Sequence, residues 1–212
     1  MKQIFIFSGL GTDERVFKHL EFPGCEKTYI KWITALEKET LEEYAKRLVP
    51  QIHSNTPILV GLSFGGIVAT EISKFIATEK LILIASVKTF KEIPFFFRIA
   101  GKLNLHKLLP GKFLRHRNFI SDWLFGVETA SDKKLLSEIL LDTDAMFLKW
   151  AINEIVKWKN ATKNPNVVHI HGTADRIFPY RLIHADFTIK NGSHFMTVNK
   201  SAEINSILKT LL

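Results

Sequence analysis

Pro57-Ile58-Leu59-Val60 is an apolar run without polar alternation, and it passes directly into Gly61-Leu62-Ser63-Phe64-Gly65-Gly66. A strand that is apolar at every position cannot face water, so the sheet that takes it must be covered on both sides. Residues 3–7 and 81–85 read the same way. Helical patterns lie between these runs. Thr40-Leu41-Glu42-Glu43 has capping-box spacing at the start of a helix carrying Leu41, Tyr44, Leu48 and Ile52, and a second helix is expected over 64–76. Strand alternating with helix implies a mostly parallel sheet with helices on both faces.

The expected strands are 3–7, 28–32, 57–60, 80–85, 166–170 and 186–190. Asp13 is expected to cap a short helix reaching residue 20, and further helices are expected near 180–184 and over 201–211. The rhythm stops at Val87. Up to about residue 163 only helical patterns occur, such as 134–141 and 145–157, broken by Pro94, Pro110-Gly111 and Gly126. The chain therefore divides into a core of 1–86 and 163–212 and a helical insertion over 87–162.

With 212 residues, 46% of them hydrophobic and 24% charged, the chain can bury one substantial core and is no disordered or fibrous sequence. Cys25 is the single cysteine, which excludes an internal disulfide framework, and it reads as a small buried hydrophobe. The apolar run near Met1 is too short for a secretory segment and no stretch is long enough for a transmembrane span, so a cytoplasmic location is expected.

The net charge of +8 is unevenly placed. Residues 87–125 hold eight basic residues (Lys88, Lys91, Arg98, Lys102, Lys107, Lys112, Arg115, Arg117) against Glu92 and Asp122, a net of +6. The simplest role of such a strip is a solvated face, and a second is to receive an anion: an acidic acyl carrier protein or an anionic substrate. Nucleic acid is not expected, because the basic residues gather in the insertion rather than across the sheet.

Gly61-x-Ser63-x-Gly65 stands where a strand ends and a helix begins, the setting of a nucleophile elbow. A turn this sharp strains the serine backbone and leaves no room for side chains at 61 and 65. A serine nucleophile needs a base and the base an orienting carboxylate. His194 follows the strand at 186–190 and the loop Asn191-Gly192-Ser193, and Asp175 follows the strand at 166–170 in His171-Gly172-Thr173-Ala174-Asp175. A metal reading built on His169-x-His171 with Asp175 and His194 fails. His169 would point into a covered sheet, His171 opens the turn before Asp175, and the elbow would be left unexplained.

In its order Ser63, Asp175, His194, in Gly9-Leu10-Gly11 after the first strand, and in Gly192-Ser193-His194-Phe195, the sequence resembles the α/β-hydrolase superfamily. The resemblance spans the chain and places the helical insertion where members carry a cap. It departs from the family in having six strands rather than eight, lacking the first antiparallel pair, and in Ser8-Gly9 where members commonly have His-Gly. It implies an oxyanion hole made by the amides of Leu10 and Phe64, and hydrolysis of a carboxylic ester or thioester through an acyl-enzyme, with neither metal nor organic cofactor. Acyl transfer, lyase or carbon–carbon hydrolase chemistry on the same triad, or a slow-turnover receptor, stand as alternatives. The many aromatics of the insertion point to an apolar pocket over Ser63.

Overall fold

A computed structural model of the chain describes residues 1–104 and 115–212. Strands β1 (Lys2–Phe7), β2 (Cys25–Tyr29), β3 (Ile58–Leu62), β4 (Lys80–Ile84), β5 (Val167–Gly172) and β6 (Phe187–Ile189) form one sheet in the order β2-β1-β3-β4-β5-β6. Every ladder in it is parallel.

Neighbouring residues of one strand enter opposite layers, which is why the strands are apolar throughout. Ile4, Ile6, Ile58, Val60, Ile82 and Ile84 belong to one core cluster, and Phe5, Phe7, Leu59, Leu81 and Leu83 to the other. On the second face lie α1 (Leu41–Leu48), through Leu41, Tyr44, Ala45 and Leu48, and α2 (Phe64–Ile72), through Ile67, Val68 and Ile72. The Thr40–Glu43 capping box that starts α1 is formed.

Four helices lie between β4 and β5 among the described residues: α3 (Phe95–Lys102), α4 (Phe119–Phe125), α5 (Ala130–Asp142) and α6 (Ala145–Lys157). They have no core of their own. Leu136, Ile139 and Leu140 join the first cluster, while Ala151 and Trp158 join the second. Polar ties reinforce this: Trp158 Nε1 donates to Glu71 Oε1 at 2.7 Å, and Leu41 N donates to Glu154 Oε2 at 3.0 Å. After β6 come α7 (Met196–Asn199) and α8 (Ser201–Leu211), whose Ile204 and Leu208 close the first face. No helix among the described residues is long and apolar enough to cross a membrane.

Some expectations need correction. The second strand is Cys25–Tyr29, not 28–32, because pairing with β1 runs from Lys2↔Cys25 to Ile6↔Tyr29. Trp32, which drew the strand forward, turns off the sheet to stack near Phe64 and Phe147. Ile52 is not on α1, which gives way at Leu48 to a 3-10 turn holding Pro50, a residue without the N–H an α-helix needs. Cys25 is partly exposed rather than buried.

Candidate active site

Ser63 sits between β3 and α2 with φ 51° and ψ −118°, a conformation that costs a non-glycine residue about 1–3 kcal/mol. Its neighbours hold it there. Ser63 N donates to Ile84 O at 3.0 Å, and the Ser63 carbonyl accepts from Ser86 Oγ at 2.7 Å and Gly66 N at 3.0 Å. A Cβ at Gly61 would lie 2.3 Å from the Gly66 Cα, and one at Gly65 would lie 2.3 Å from the carbonyl oxygens of Phe7 and Ser8. The side chain of Ser63 makes no cap bond to α2 and is left to other partners.

The structure brings Ser63, His194 and Asp175 together across 131 and 19 residues of sequence separation. Ser63 Oγ is 2.8 Å from His194 Nε2, and His194 Nδ1 is 2.8 Å from Asp175 Oδ2. A carboxylate only accepts, so Nδ1 carries the proton and Nε2 is left to accept from the serine hydroxyl. Asp175 Oδ1 accepts from the amides of Ile177 and Phe178, both at 2.9 Å, which fixes the carboxylate from behind. Asp175 and His194 are both buried, and the rings of Phe125 and Phe178 stand edge-on to the imidazole, each 5.7 Å away.

Leu10 lies in a turn closed by Thr12 N donating to Gly9 O at 3.1 Å, and Thr12 Oγ1 donates to the same carbonyl at 3.1 Å. Gly11 has φ +67°, the left-handed geometry that favours glycine. Neither the Leu10 nor the Phe64 amide donates a hydrogen bond among the described residues; Phe64 follows Ser63 directly, and Leu10 lines the same cavity as Ser63. Thr12 and Ser86 escaped the sequence reading, and His171 entered it only as a rejected metal ligand. The only signal for them is position: two follow a strand that carries a candidate residue or borders one, and His171 opens the turn before Asp175.

His169 and His171 do lie on one face of β5, their ring centroids 5.1 Å apart. His171 Nε2 donates to Phe178 O at 2.8 Å and lies 3.6 Å from Asp175 Oδ2, so it braces the loop that holds Asp175. Burial pushes both imidazoles below the usual histidine range, His169 far below; for His171 the charge of Asp175 opposes the shift.

A cavity of about 500 Å³ opens on Ser63 and His194. Its wall comes from the sheet edge (Leu10, Leu62, Phe178) and from the helices between β4 and β5 (Phe97, Leu124, Leu148). Among the described residues no Lys, Arg, Asp or Glu lines it. Among the described residues no member of the basic strip lines this cavity, and the exposed part of the strip is smaller than its sequence count. Lys88 is buried and pairs with Asp186 at 3.0 Å, Arg117 pairs with Asp122 at 2.7 Å, and Arg115 donates to Leu141 O. Lys88 is therefore no part of an exposed strip. Lys107 and Lys112, along with Phe113 and Pro110-Gly111, lie outside the described residues.

No protein-family model matches the sequence, and no curated protein matches it. Solved structures do. The thermophilic esterase from Thermogutta terrifontis is 16% identical with a TM-score of 0.73, over 100% of this chain and 89% of its own. A lipase-esterase related protein from Clostridium acetobutylicum is 14% identical with a TM-score of 0.71, over 100% and 94%. The epoxide hydrolase from Bacillus megaterium is 13% identical with a TM-score of 0.65, over 99% and 93%. The chain has the α/β-hydrolase fold.

Proposed function

We propose that the protein is a serine hydrolase that cleaves carboxylic esters or thioesters whose acyl group is uncharged and apolar. The observation that carries this reading is the hydrogen-bonded series Ser63 Oγ, His194, Asp175, at 2.8 Å in both links, on a strained elbow at the mouth of an apolar cavity. His194 Nε2 takes the Ser63 proton as Oγ attacks the acyl carbon. The amides of Leu10 and Phe64 stabilise the resulting oxyanion. Collapse expels the alcohol or thiol, which takes its proton from His194. A water deprotonated by His194 then attacks the acyl-enzyme, and Ser63 recovers its proton as the acid leaves. Asp175 stays ionised, holding the imidazole tautomer and stabilising its protonated form.

Residues 87–162 act as a cap that supplies most of the acyl wall and shares its packing with the core. No step requires a metal or an organic cofactor. The esterase and hydrolase names of the structural neighbours agree with this chemistry. An acidic acyl carrier could dock against the basic residues outside the cavity, delivering a thioester whose charged portion stays in water.

The test is labelling with a fluorophosphonate probe, followed by turnover on a panel of acyl esters and thioesters, with Ser63→Ala beside the wild type. Labelling and turnover are expected in the wild type and in neither case for the variant. Full activity in Ser63→Ala would falsify the assignment. Labelling without turnover on any ester or thioester would identify a receptor of the same fold instead.

A further inference from the structure

The helices α3 and α4 are apolar on two faces. Toward the protein, α3 turns Phe97 and Ala100 to the cavity and seats Gly101 against Val156, while α4 turns Ser121, Leu124 and Phe125 to the cavity. Away from it, α3 presents Phe95 (67% exposed), Phe96 (58%), Ile99 and, at its end, Leu103 (62%). On the wheel of a 3.6-residue helix these four positions fall on one continuous arc. In the same way α4 presents Phe119 (83%) and Trp123 (51%), with Ile120 at the border between this face and the cavity. Seven of the thirteen large hydrophobics exposed among the described residues stand on these two short helices or, in the case of Leu103, directly after α3, so the exposure is local rather than general. Water-soluble proteins seldom leave a contiguous apolar surface uncovered, and such a surface marks a contact site.

We propose that the outer faces of α3 and α4 bind an anionic lipid surface, with the aromatic side chains entering the headgroup–acyl boundary. Charge selects this occupant. Lys91, in the turn just before α3, and Lys102, in its last turn, are exposed and make no ion pair among the described residues. A second copy of the chain would bring like charges face to face. An anionic bilayer meets both properties, the positive rim and the Phe, Trp and Leu side chains, which is the pattern of a helix lying in a membrane interface. The same helices wall the cavity at Ser63, so an apolar acyl ester dissolved in the bilayer has only the thickness of the cap to cross. That last step rests on the hydrolase reading, whereas lipid binding does not.

The experiment is flotation with vesicles of equimolar phosphatidylcholine and phosphatidylglycerol, against phosphatidylcholine alone, at low and high salt. The wild type and the Ser63→Ala variant should float equally with the anionic vesicles, and both should lose binding as salt rises. Lys91→Glu and Lys102→Glu should each lower partitioning by at least about fivefold. The Phe95→Ser/Phe96→Ser/Phe119→Ser variant should stay in the vesicle-free fraction. None of its three positions lines the cavity, so its circular dichroism and its hydrolysis of a short water-soluble ester should match the wild type. Two results would overturn the proposal. One is wild-type protein that does not float on anionic vesicles at low salt. The other is a dimer, measured by light scattering, that the three serines dissolve while vesicle binding is absent, which would assign the face to a second copy. Ester hydrolysis that fails while flotation succeeds would overturn the hydrolase reading and leave the lipid surface standing.

Discussion

Ser86 donates its hydroxyl to the main-chain carbonyl of Ser63 at 2.7 Å, tying the end of β4 to the strained turn after β3. Ser86 is fully buried, and the close approach of Gly66 leaves its side chain little freedom. Ser86→Ala should cost about 1 kcal/mol of stability. Turnover should fall about tenfold with little change in KM, because the serine is less firmly held for attack. Thermal unfolding and steady-state kinetics on one ester measure both. A stability loss with kcat unchanged would show that the bond supports the fold and not the nucleophile.

Asp175→Asn should lower kcat by about 10⁴-fold, because an amide in that place no longer selects the His194 tautomer with its proton on Nδ1. His194→Ala should fall to about the rate of Ser63→Ala, and the double variant no further, since residues acting as one unit are not additive. The four rates on a single ester are the measurement, and an additive double variant would break the unit apart.

Gly65→Ala should fail to reach the native fold or lose at least about 3 kcal/mol, since its Cβ would stand 2.3 Å from backbone oxygens of Phe7 and Ser8 that cannot move without moving β1. Gly24→Ala is the control: unlike Gly65 it has a positive φ, and no atom lies within 4 Å of its Cβ position. Its cost should be confined to backbone strain of about 1 kcal/mol. Denaturant midpoints separate the two.

Stability should fall as pH drops below about 6.5. Burial lowers the His169 and His171 pKa values in the folded state, so the unfolded chain binds protons there that the native state does not. The contribution is complete above the unfolded pKa and is lost at up to about 1.4 kcal/mol per pH unit for each residue as pH falls toward the folded value. The buried ring of His169 makes no side-chain hydrogen bond among the described residues, its one polar tie being a loose one to the Ser86 backbone, so His169→Leu should fold and should flatten the slope. Urea titrations across this range give the slope directly, and an unaltered slope in the variant would place the proton uptake elsewhere.

Substrates with a carboxylate at the far end of the acyl chain should be turned over at least about 100-fold more slowly than their neutral counterparts of equal length, because no cation among the described residues of the cavity offsets the loss of hydration. Matched thioesters or nitrophenyl esters give the comparison. Equal kcat/KM for the pair would mean that the acyl chain lies outside this cavity.

What could be read from the sequence was whatever depends on near neighbours. The covered parallel strands, the Thr40 capping box and the ends of α6 and α8 follow from local periodicity and capping, and they stand where expected. The elbow was legible because crowding restricts Gly61 and Gly65 to glycine. The misplaced second strand shows the limit: β2 is an edge strand with mostly exposed residues, so its register is set by hydrogen bonds to β1, which leave no pattern in its own composition. Lys88 looked like one more surface cation because its partner, Asp186, is 98 residues away. Ser86 and Thr12 act through backbone carbonyls, and bonds of that kind place no demand on residue type at the far end.

The pairing of β4 with β5 closes over the entire stretch from 85 to 166. Chain-closure entropy grows only with the logarithm of loop length, so this crossover costs about 1.2 kcal/mol more than one a quarter as long. Ser63 and its elbow are made by strands that precede the loop, whereas Asp175 and His194 arrive after it. The sheet is thus nearly indifferent to how much chain is inserted at this one point, and the insertion can change in length and composition while the three reacting groups keep their spacing.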